Sequence, residues 1–388
     1  MKICLINNLH KPFSRGGADR VLEIARDGFC KRGFDVFVIS TKPYFLKYDD
    51  DKNYYLKSFF HYLNKIPKLI RLFYHFADFL SIKKYLQIKK ILKKEKPDLI
   101  ITHNFKGLGL LVLKAIKNSK IKHVHVLHDI QLIHPSGLMI VGKEDMLESF
   151  FTKIYYSAVN KIINSPNLII SPSKWLMCEH EKRGFFQNSK KIIIQNPVSI
   201  KNNFSLKNKK DSAINFLYVG ELEDHKGIMF LLNAFNKFSK NKNIKLSIIG
   251  KGSEYDKIQG LKNEKVEVLG WKTGEQVKAA MQNADCLIVP SLCYENSPTV
   301  IYEAASLGLP VLASRIGGIT EIIHYLGGTL FEAGNEKDLF KKINYILKNL
   351  DSLKKIGTNS KYKINKFSVE NYFEKLKSEI DQSNILFT

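Results

Sequence analysis

The chain has 388 residues and a formal net charge of +24, from 61 Lys and Arg against 37 Asp and Glu. That length suits two domains with cores of their own and excludes a small module stapled by metal or disulfides. The five cysteines show no paired spacing, which argues against a structural zinc and for a reducing compartment, and no recognition helix or aromatic nucleic-acid motif turns the charge into nucleic-acid binding.

The charge excess has two readings, an anionic partner or a compositional bias toward lysine spread over the surface. No uninterrupted apolar run reaches the ~18 residues of a membrane span, and the N-terminus enters a strand at once, without a signal-like segment. The expectation is a cytoplasmic protein, at most peripheral on the inner face of the membrane.

In chain order, residues 3–7, 35–39, 98–102, 123–127, 167–171 and 191–195 are short apolar runs bounded by polar turns, the pattern of buried parallel strands. After the first comes a glycine pair, Gly16 and Gly17, feeding an amphipathic helix. Such a pair serves either a tight turn or the close approach of a ligand to the backbone.

Residues 42–96 carry fourteen Lys and Arg against five Asp and Glu, with many Tyr and Phe. Within them Ile66, Leu69, Ile70, Phe73, Phe76, Ala77 and Leu80 recur at helical spacing, while Lys68, Arg71 and His75 take other faces. One reading docks this segment on anionic lipid or a lipid-linked acceptor, and the other packs its apolar stripe on the domain sheet and leaves the lysines in water. Asp49, Asp50 and Asp51 read as a solvated loop, without a second ligand cluster to make a metal site. His103 and Asn104 follow one strand, and His128 and Asp129 follow the next, at the carboxyl edge where open α/β sheets bind ligands.

Residues 201–212 are polar and lysine-rich and read as a linker. Strand and helix alternation then resumes, with strands at 214–219, 244–249, 266–269, 286–289 and 311–313. Three turns stand out: residues 220–227, ending in Lys226 and Gly227; residues 250–252; and residues 270–272, with Trp271 and Lys272. A final helix is expected within residues 367–388.

The most informative stretch is 290–310, which reads as a loop followed by a helix that stops at Gly308 and Pro310. The eight-residue step from Glu295 to Glu303 would place the carboxylates about 80° apart on an unbroken helix. Glu295 is therefore read in the loop and Glu303 about a turn inside the helix. Between them the amides of Thr299 and Val300 open the helix, where unpaired donors and the positive dipole end suit a phosphate. An ordinary turn with two solvated glutamates is the alternative for this pair alone.

Glu295 and Glu303, with Ala304, Leu307, Gly308, Leu309, Pro310 and Val311 and then Gly317, Gly318 and Glu321, resemble the signature of retaining family 4 glycosyltransferases of the GT-B fold. The Gly16 and Gly17 loop, with Asp19 where Glu is commoner, resembles that family's N-terminal glycine loop. Residues 124–135 resemble its active-site His-Asp turn, residues 171–174 and 195–198 other landmarks, and residues 220–227 its diphosphate-binding turn. One departure is Glu221, where a basic residue usually stands; Lys251, Arg315 or a cation of the other domain would have to compensate.

The resemblance implies an α/β GT-B architecture: two facing Rossmann-like domains with an interdomain cleft, residues 1–200 plus a returning C-terminal helix on the acceptor side and residues 211–366 binding a nucleotide-diphosphate sugar. It implies transfer of the sugar, with retention, to a hydroxyl of a glycan or lipid-linked acceptor in surface-polysaccharide synthesis, without a metal. Glu295, His128 and Lys226 would be catalytic. Gly16, Gly17, Gly252, Trp271, Lys272, Asn296, Ser297, Pro298, Thr299, Val300 and Glu303 would join Lys226 and Glu295 around the donor. His103, Asn104 and Asp129 would lie on the acceptor side. A hydrolase or epimerase of nucleotide sugars, or a silent nucleotide-sugar-binding partner subunit, would use the same fold.

Overall fold

Short apolar strands need cover on both faces, and the chain supplies it with helices between successive strands. The computed structural model describes residues 1–67, 74, 78, 80–198, 213–240 and 242–383. Most of the amphipathic stripe read from Ile66 to Leu80 and the linker read at 201–212 therefore lie outside the described residues.

Two units share the chain. The first comprises Met1–Leu138, Asp145–Pro197 and the chain from Tyr372 onward, and the second comprises Met139–Glu144 and Val198–Asn371. In the first, β1 (Lys2–Ile6), β2 (Asp35–Pro43), β3 (Tyr54–Ser58), β4 (Leu99–Thr102), β5 (Lys122–Val126), β6 (Leu168–Ser171) and β7 (Lys190–Ile193) form one parallel sheet in the order β3-β2-β1-β4-β5-β6-β7. In the second, β8 (Ile214–Val219), β9 (Ile244–Ile249), β10 (Val266–Gly270), β11 (Cys286–Val289), β12 (Val311–Ser314) and β13 (Thr329–Phe331) form another, in the order β10-β9-β8-β11-β12-β13.

The order decides where ligands fit. Each sheet reverses its direction of growth once, between β1 and β4 in the first unit and between β8 and β11 in the second. At such a switch point the loops leaving the two strands diverge to opposite faces and open a crevice at the carboxyl edge. The chain after β1 and β4 contains Gly16, Gly17, His103 and Asn104. The chain after β8 and β11 contains Lys226 and Glu295.

Beyond the strands expected from the apolar runs, the sheets include β3 and β13. The C-terminal helix Val369–Gln382 packs on the first unit: Phe373 meets Phe29 edge to face at 4.8 Å, and the Arg32 guanidinium lies 4.0 Å from the Phe373 ring centre. Gly28 makes this possible, since a Cβ there would stand 2.3 Å from the Phe373 ring. Among the described residues no helix is long and apolar enough to cross a membrane.

Candidate functional site

Two loops of the second unit are held together first by backbone. The His225 carbonyl accepts hydrogen bonds from the amides of Leu292 (3.1 Å) and Cys293 (3.0 Å). Gly227 turns with φ +74°, and a Cβ at that position would lie 1.9 Å from the Pro290 carbonyl oxygen. No side chain fits there. On the other flank, Gly317 adopts φ +50° with its missing Cβ 2.6 Å from the Glu295 carbonyl oxygen, to which the Gly318 amide donates at 2.8 Å. Glu295 is thus clamped by its main chain between two glycine turns.

That clamp aims its side chain. Lys226 Nζ lies 3.1 Å from Glu295 Oε2, and Ser291 Oγ donates to Glu295 Oε1. Burial works against the Lys226 charge, but the Glu295 carboxylate outweighs it and holds the ammonium well above its ordinary pKa. Lys226 stays charged.

Next along the chain, Asn296 is half-buried, and Ser297 is buried with its Oγ 2.7 Å from the Tyr302 hydroxyl. Pro298 then caps the helix Thr299–Leu307 without a side-chain hydrogen bond to its first turn, the end at which the amides of Thr299 and Val300 and the positive dipole suit an anion. Glu303, half-buried, stands on that helix, which Gly308 ends in the left-handed conformation.

The turn at 250–252 is zipped to the Lys226 loop. Leu222 donates to the Lys251 carbonyl at 2.9 Å and accepts from the Glu254 amide at 2.9 Å, while Ser253 binds the Glu223 carboxylate. A Cβ on Gly252 would stand 2.3 Å from the Leu222 carbonyl oxygen, so close backbone packing explains that glycine. Trp271 is 62% exposed, with Lys251 Nζ 5.7 Å from its ring centre, and Lys272 is half-buried. Glu221 and Arg315 are exposed; the Glu221 carbonyl accepts the Tyr218 hydroxyl at 2.7 Å.

The first unit builds its edge mostly from neutral hydrogen bonding. Asp19 caps the glycine loop, its Oδ2 accepting from the amides of Arg15 (2.7 Å) and Gly16 (3.1 Å), and burial pushes its carboxyl pKa up against those bonds. Gly16 and Gly17 differ from the glycines above: a Cβ on either meets no described atom within 4 Å, and neither has a positive φ. Asn7 joins the pieces, donating to Asp19 Oδ1 at 2.9 Å and accepting from the Asn104 amide at 3.0 Å. Gln131 links Asn104 to the following loop, its amide donating to Asn104 Oδ1 and its oxygen accepting from the Phe105 amide.

His103 is buried with Nδ1 2.8 Å from Nε2 of half-buried His128. Burial pushes His128 down to about 4 and His103 well below the ordinary histidine range, so both rings are neutral. Asp129, raised by burial against the pull of Lys106, accepts from the Gln131 amide at 2.7 Å.

Three contributors escaped the sequence reading. Asn7 ends the first apolar run with nothing in its spacing to mark it, and Gln131 lies inside the 124–135 stretch already singled out, without a signal of its own. Ser291 lies four residues before Glu295, inside the stretch already singled out, where a hydroxyl within reach of the carboxylate was a usable signal. Residues Met139–Glu144 belong to the second unit, pairing antiparallel with 292–294: Val141 donates to Leu292 at 2.9 Å, Tyr294 donates to Met139 at 2.9 Å, and the Tyr294 hydroxyl donates to Glu144 at 3.0 Å. Among the described residues no group of three or more His, Cys, Asp or Glu gathers as a metal ligand set.

Comparison with known proteins identifies the family and the fold. Residues 15–202 match the Glycosyltransferase Family 4 model and residues 199–363 the Glycosyl transferases group 1 model. An uncharacterized 42.6 kDa protein in the cps region of Klebsiella pneumoniae is 27% identical over 349 residues, covering 85% of this chain and 90% of that one. An uncharacterized glycosyltransferase of Methanocaldococcus jannaschii is 31% identical over 288 residues, covering 73% and 74%. Among solved structures, Anabaena HepE in complex with UDP superposes with a TM-score of 0.71 at 19% identity over 98% of this chain and 100% of the other. The lipopolysaccharide outer core galactosyltransferase WaaB does so with a TM-score of 0.69 at 21% identity over 98% and 99%.

Proposed function

The chain belongs to the family 4 glycosyltransferases, its two parallel-sheet units being the halves of a GT-B fold, and from that premise we propose that it moves a sugar from a nucleotide-diphosphate donor to a glycan hydroxyl with retention at the anomeric carbon. One observation carries the reading: Lys226 Nζ stands 3.1 Å from Glu295 Oε2 at the switch point of the second sheet. The loop bearing Glu295 leads directly into the uncapped helix Thr299–Leu307.

In the free protein Glu295 neutralises Lys226. An arriving diphosphate exchanges the carboxylate for phosphate oxygens on Lys226 and meets the amides of Thr299 and Val300, which offset the charge that develops as the leaving group departs. Released from the lysine, Glu295 accepts hydroxyls of the transferred sugar and favours the positive charge growing on its ring. Glu303, deeper on the helix, accepts the ribose hydroxyls. Asn296, Ser297 and Pro298 shape the path between them. Lys226 and helix amides supply neutralisation without calling on a metal.

On the first unit, the space above Gly16 and Gly17 admits the sugar close to backbone amides, and His128 orients it. Asn104 and Asp129 lie on the acceptor side, whereas His103, fully buried, reaches it only through His128. The acceptor class follows from relatives: one lies in a cps region and one structural neighbour is a lipopolysaccharide galactosyltransferase, so a glycan of a surface polysaccharide, free or lipid-linked, is the natural substrate class.

The membrane part of the reading rests on an aromatic cluster at the ends of β2 and β3. Tyr44 and Phe59 stack at 4.2 Å, Phe45 is 76% exposed, Leu46 is 43% exposed, and Lys57 Nζ lies 5.9 Å from the Tyr44 ring centre. Exposed rings beside lysines suit the interface of an anionic bilayer. Binding to vesicles should need anionic lipid and weaken with salt, and equal recovery on neutral vesicles would reject it.

The transfer reading is tested by incubating the protein with a panel of nucleotide sugars, UDP-sugars first, with and without membrane lipid extract or oligosaccharide. Acceptor-dependent nucleotide release is expected. Release independent of acceptor would indicate hydrolysis, and binding without turnover a silent subunit.

A further inference from the structure

Two neutral imidazoles joined by a single hydrogen bond share a tautomer problem, since each ring has one N–H and one bare nitrogen. His103 Nδ1 and His128 Nε2 are 2.8 Å apart, and the ring planes differ by 21° with centroids 5.1 Å apart. That centroid separation is what the N···N distance plus the two ring radii gives. The rings therefore meet edge to edge, nearly coplanar, with the bond lying in the plane of both. This is the geometry of a real hydrogen bond rather than a face-to-face stack.

The bond can run in two senses. If His128 donates, His103 must carry its own proton on Nε2; if His103 donates from Nδ1, its Nε2 is bare. His103 Nε2 is buried and has no hydrogen-bond partner among the described residues. A buried N–H without an acceptor is the rarer and costlier of the two orphans. The His103 amide donates to the Ile6 carbonyl at 2.8 Å just past the end of β4, which fixes the backbone from which the ring projects.

We propose that His103 is a positioning residue that fixes the tautomer of His128, keeping the proton of His128 on Nδ1. Any substrate oxygen that meets His128 Nδ1 then meets a hydrogen-bond donor, and that nitrogen cannot serve as the base that takes the acceptor's proton. The proposal rests on the reading of His128 as facing the transferred sugar, and it gives that residue a specific role: holding a sugar hydroxyl or ring oxygen by donation.

The test is two-bond proton–nitrogen correlation on the full-length protein labelled with 15N-histidine. Both His103 and His128 are expected to carry the proton on Nδ1, and a His128 protonated on Nε2 overturns the proposal. This result is independent of turnover, so failure of the glycosyl-transfer reading would leave it standing or falling by itself.

Two variants extend it. His103→Leu removes the donor and should release His128 into a mixture of tautomers, with kcat lowered roughly tenfold, the worth of one neutral hydrogen bond, and donor KM changed less. His103→Asn, whose amide can donate from near the Nδ1 position, should restore most of both the tautomer and the rate. Loss of activity in His103→Leu with an unchanged His128 tautomer would also overturn the proposal.

Discussion

The two units share a topology and differ in the chemistry of their switch-point edges. In the first, the edge is mostly neutral, with Asn7, Asn104 and Gln131 bonded in a chain and His103 bonded to His128, beside two glycines that have open space above them. In the second, the edge is an ion pair, Lys226 with Glu295, set by glycines whose missing side chains are filled by backbone. A web of neutral donors and acceptors suits sugar hydroxyls. A lysine beside an uncapped helix suits a diphosphate. The same strand order thus presents two different edges.

Acid should separate the units most strongly. Burial pushes His123 down to about 3 and His128 and His180 to about 4, and holds His103 and His125 well below the ordinary range, all in the first unit. The second unit carries only half-buried His225 and exposed His324. Because the folded pKa values are lowered, the unfolded chain takes up protons first, at about 6.5. The first unit therefore keeps full stability above that pH and loses it as pH falls toward about 4, at up to ~1.4 kcal/mol per pH unit for each histidine. Urea unfolding at about pH 7.5 and about pH 5, followed through Trp175 in the first unit and Trp271 in the second, should show the first weakening more. Equal weakening would contradict the contrast.

The two kinds of glycine give the next largest effects. Gly227→Ala must break the contact with Pro290 as well as strain φ, and should cost about 3 kcal/mol or more in denaturant unfolding. Lys226→Met should leave the loops folded yet lower kcat by about 10² to 10³, the loss expected when a donor to a developing anion is removed. Gly16→Ala should change stability by less than about 0.5 kcal/mol while raising donor KM, a split visible by comparing melting with kinetics. If Gly16→Ala destabilised as much as Gly227→Ala, the space above it would have a structural and not a ligand-binding purpose. Smallest is Tyr294→Phe, which removes the bond to Glu144 and should cost about 1 kcal/mol in unfolding.

Much of this was legible because it was written in runs. Five or six apolar residues between polar turns mark a buried strand, and the Glu295 to Pro310 stretch carries a loop, a helix start and a helix stop in adjacent positions. What was not legible has a physical reason in each case. β3 is Tyr-Tyr-Leu-Lys-Ser, an edge strand half exposed and too polar for the apolar criterion, and β13 has three residues. The pairing of Met139–Glu144 with 292–294 uses main-chain atoms, to which sequence is nearly blind. Glycine spacing was visible, but not its cause: Gly252 gives way to the Leu222 backbone, and Gly16 gives way to nothing in the described chain. The departure at Glu221 was plain in the sequence; the structure leaves that carboxylate exposed.

We propose that Glu295 handles the sugar rather than merely balancing Lys226, and the transfer rate of Glu295→Gln at saturating donor, with whichever nucleotide sugar the panel identifies, decides between the two. The expected kcat is lower by about 10² or more, with donor affinity within roughly tenfold of the parent. An unchanged kcat would contradict it.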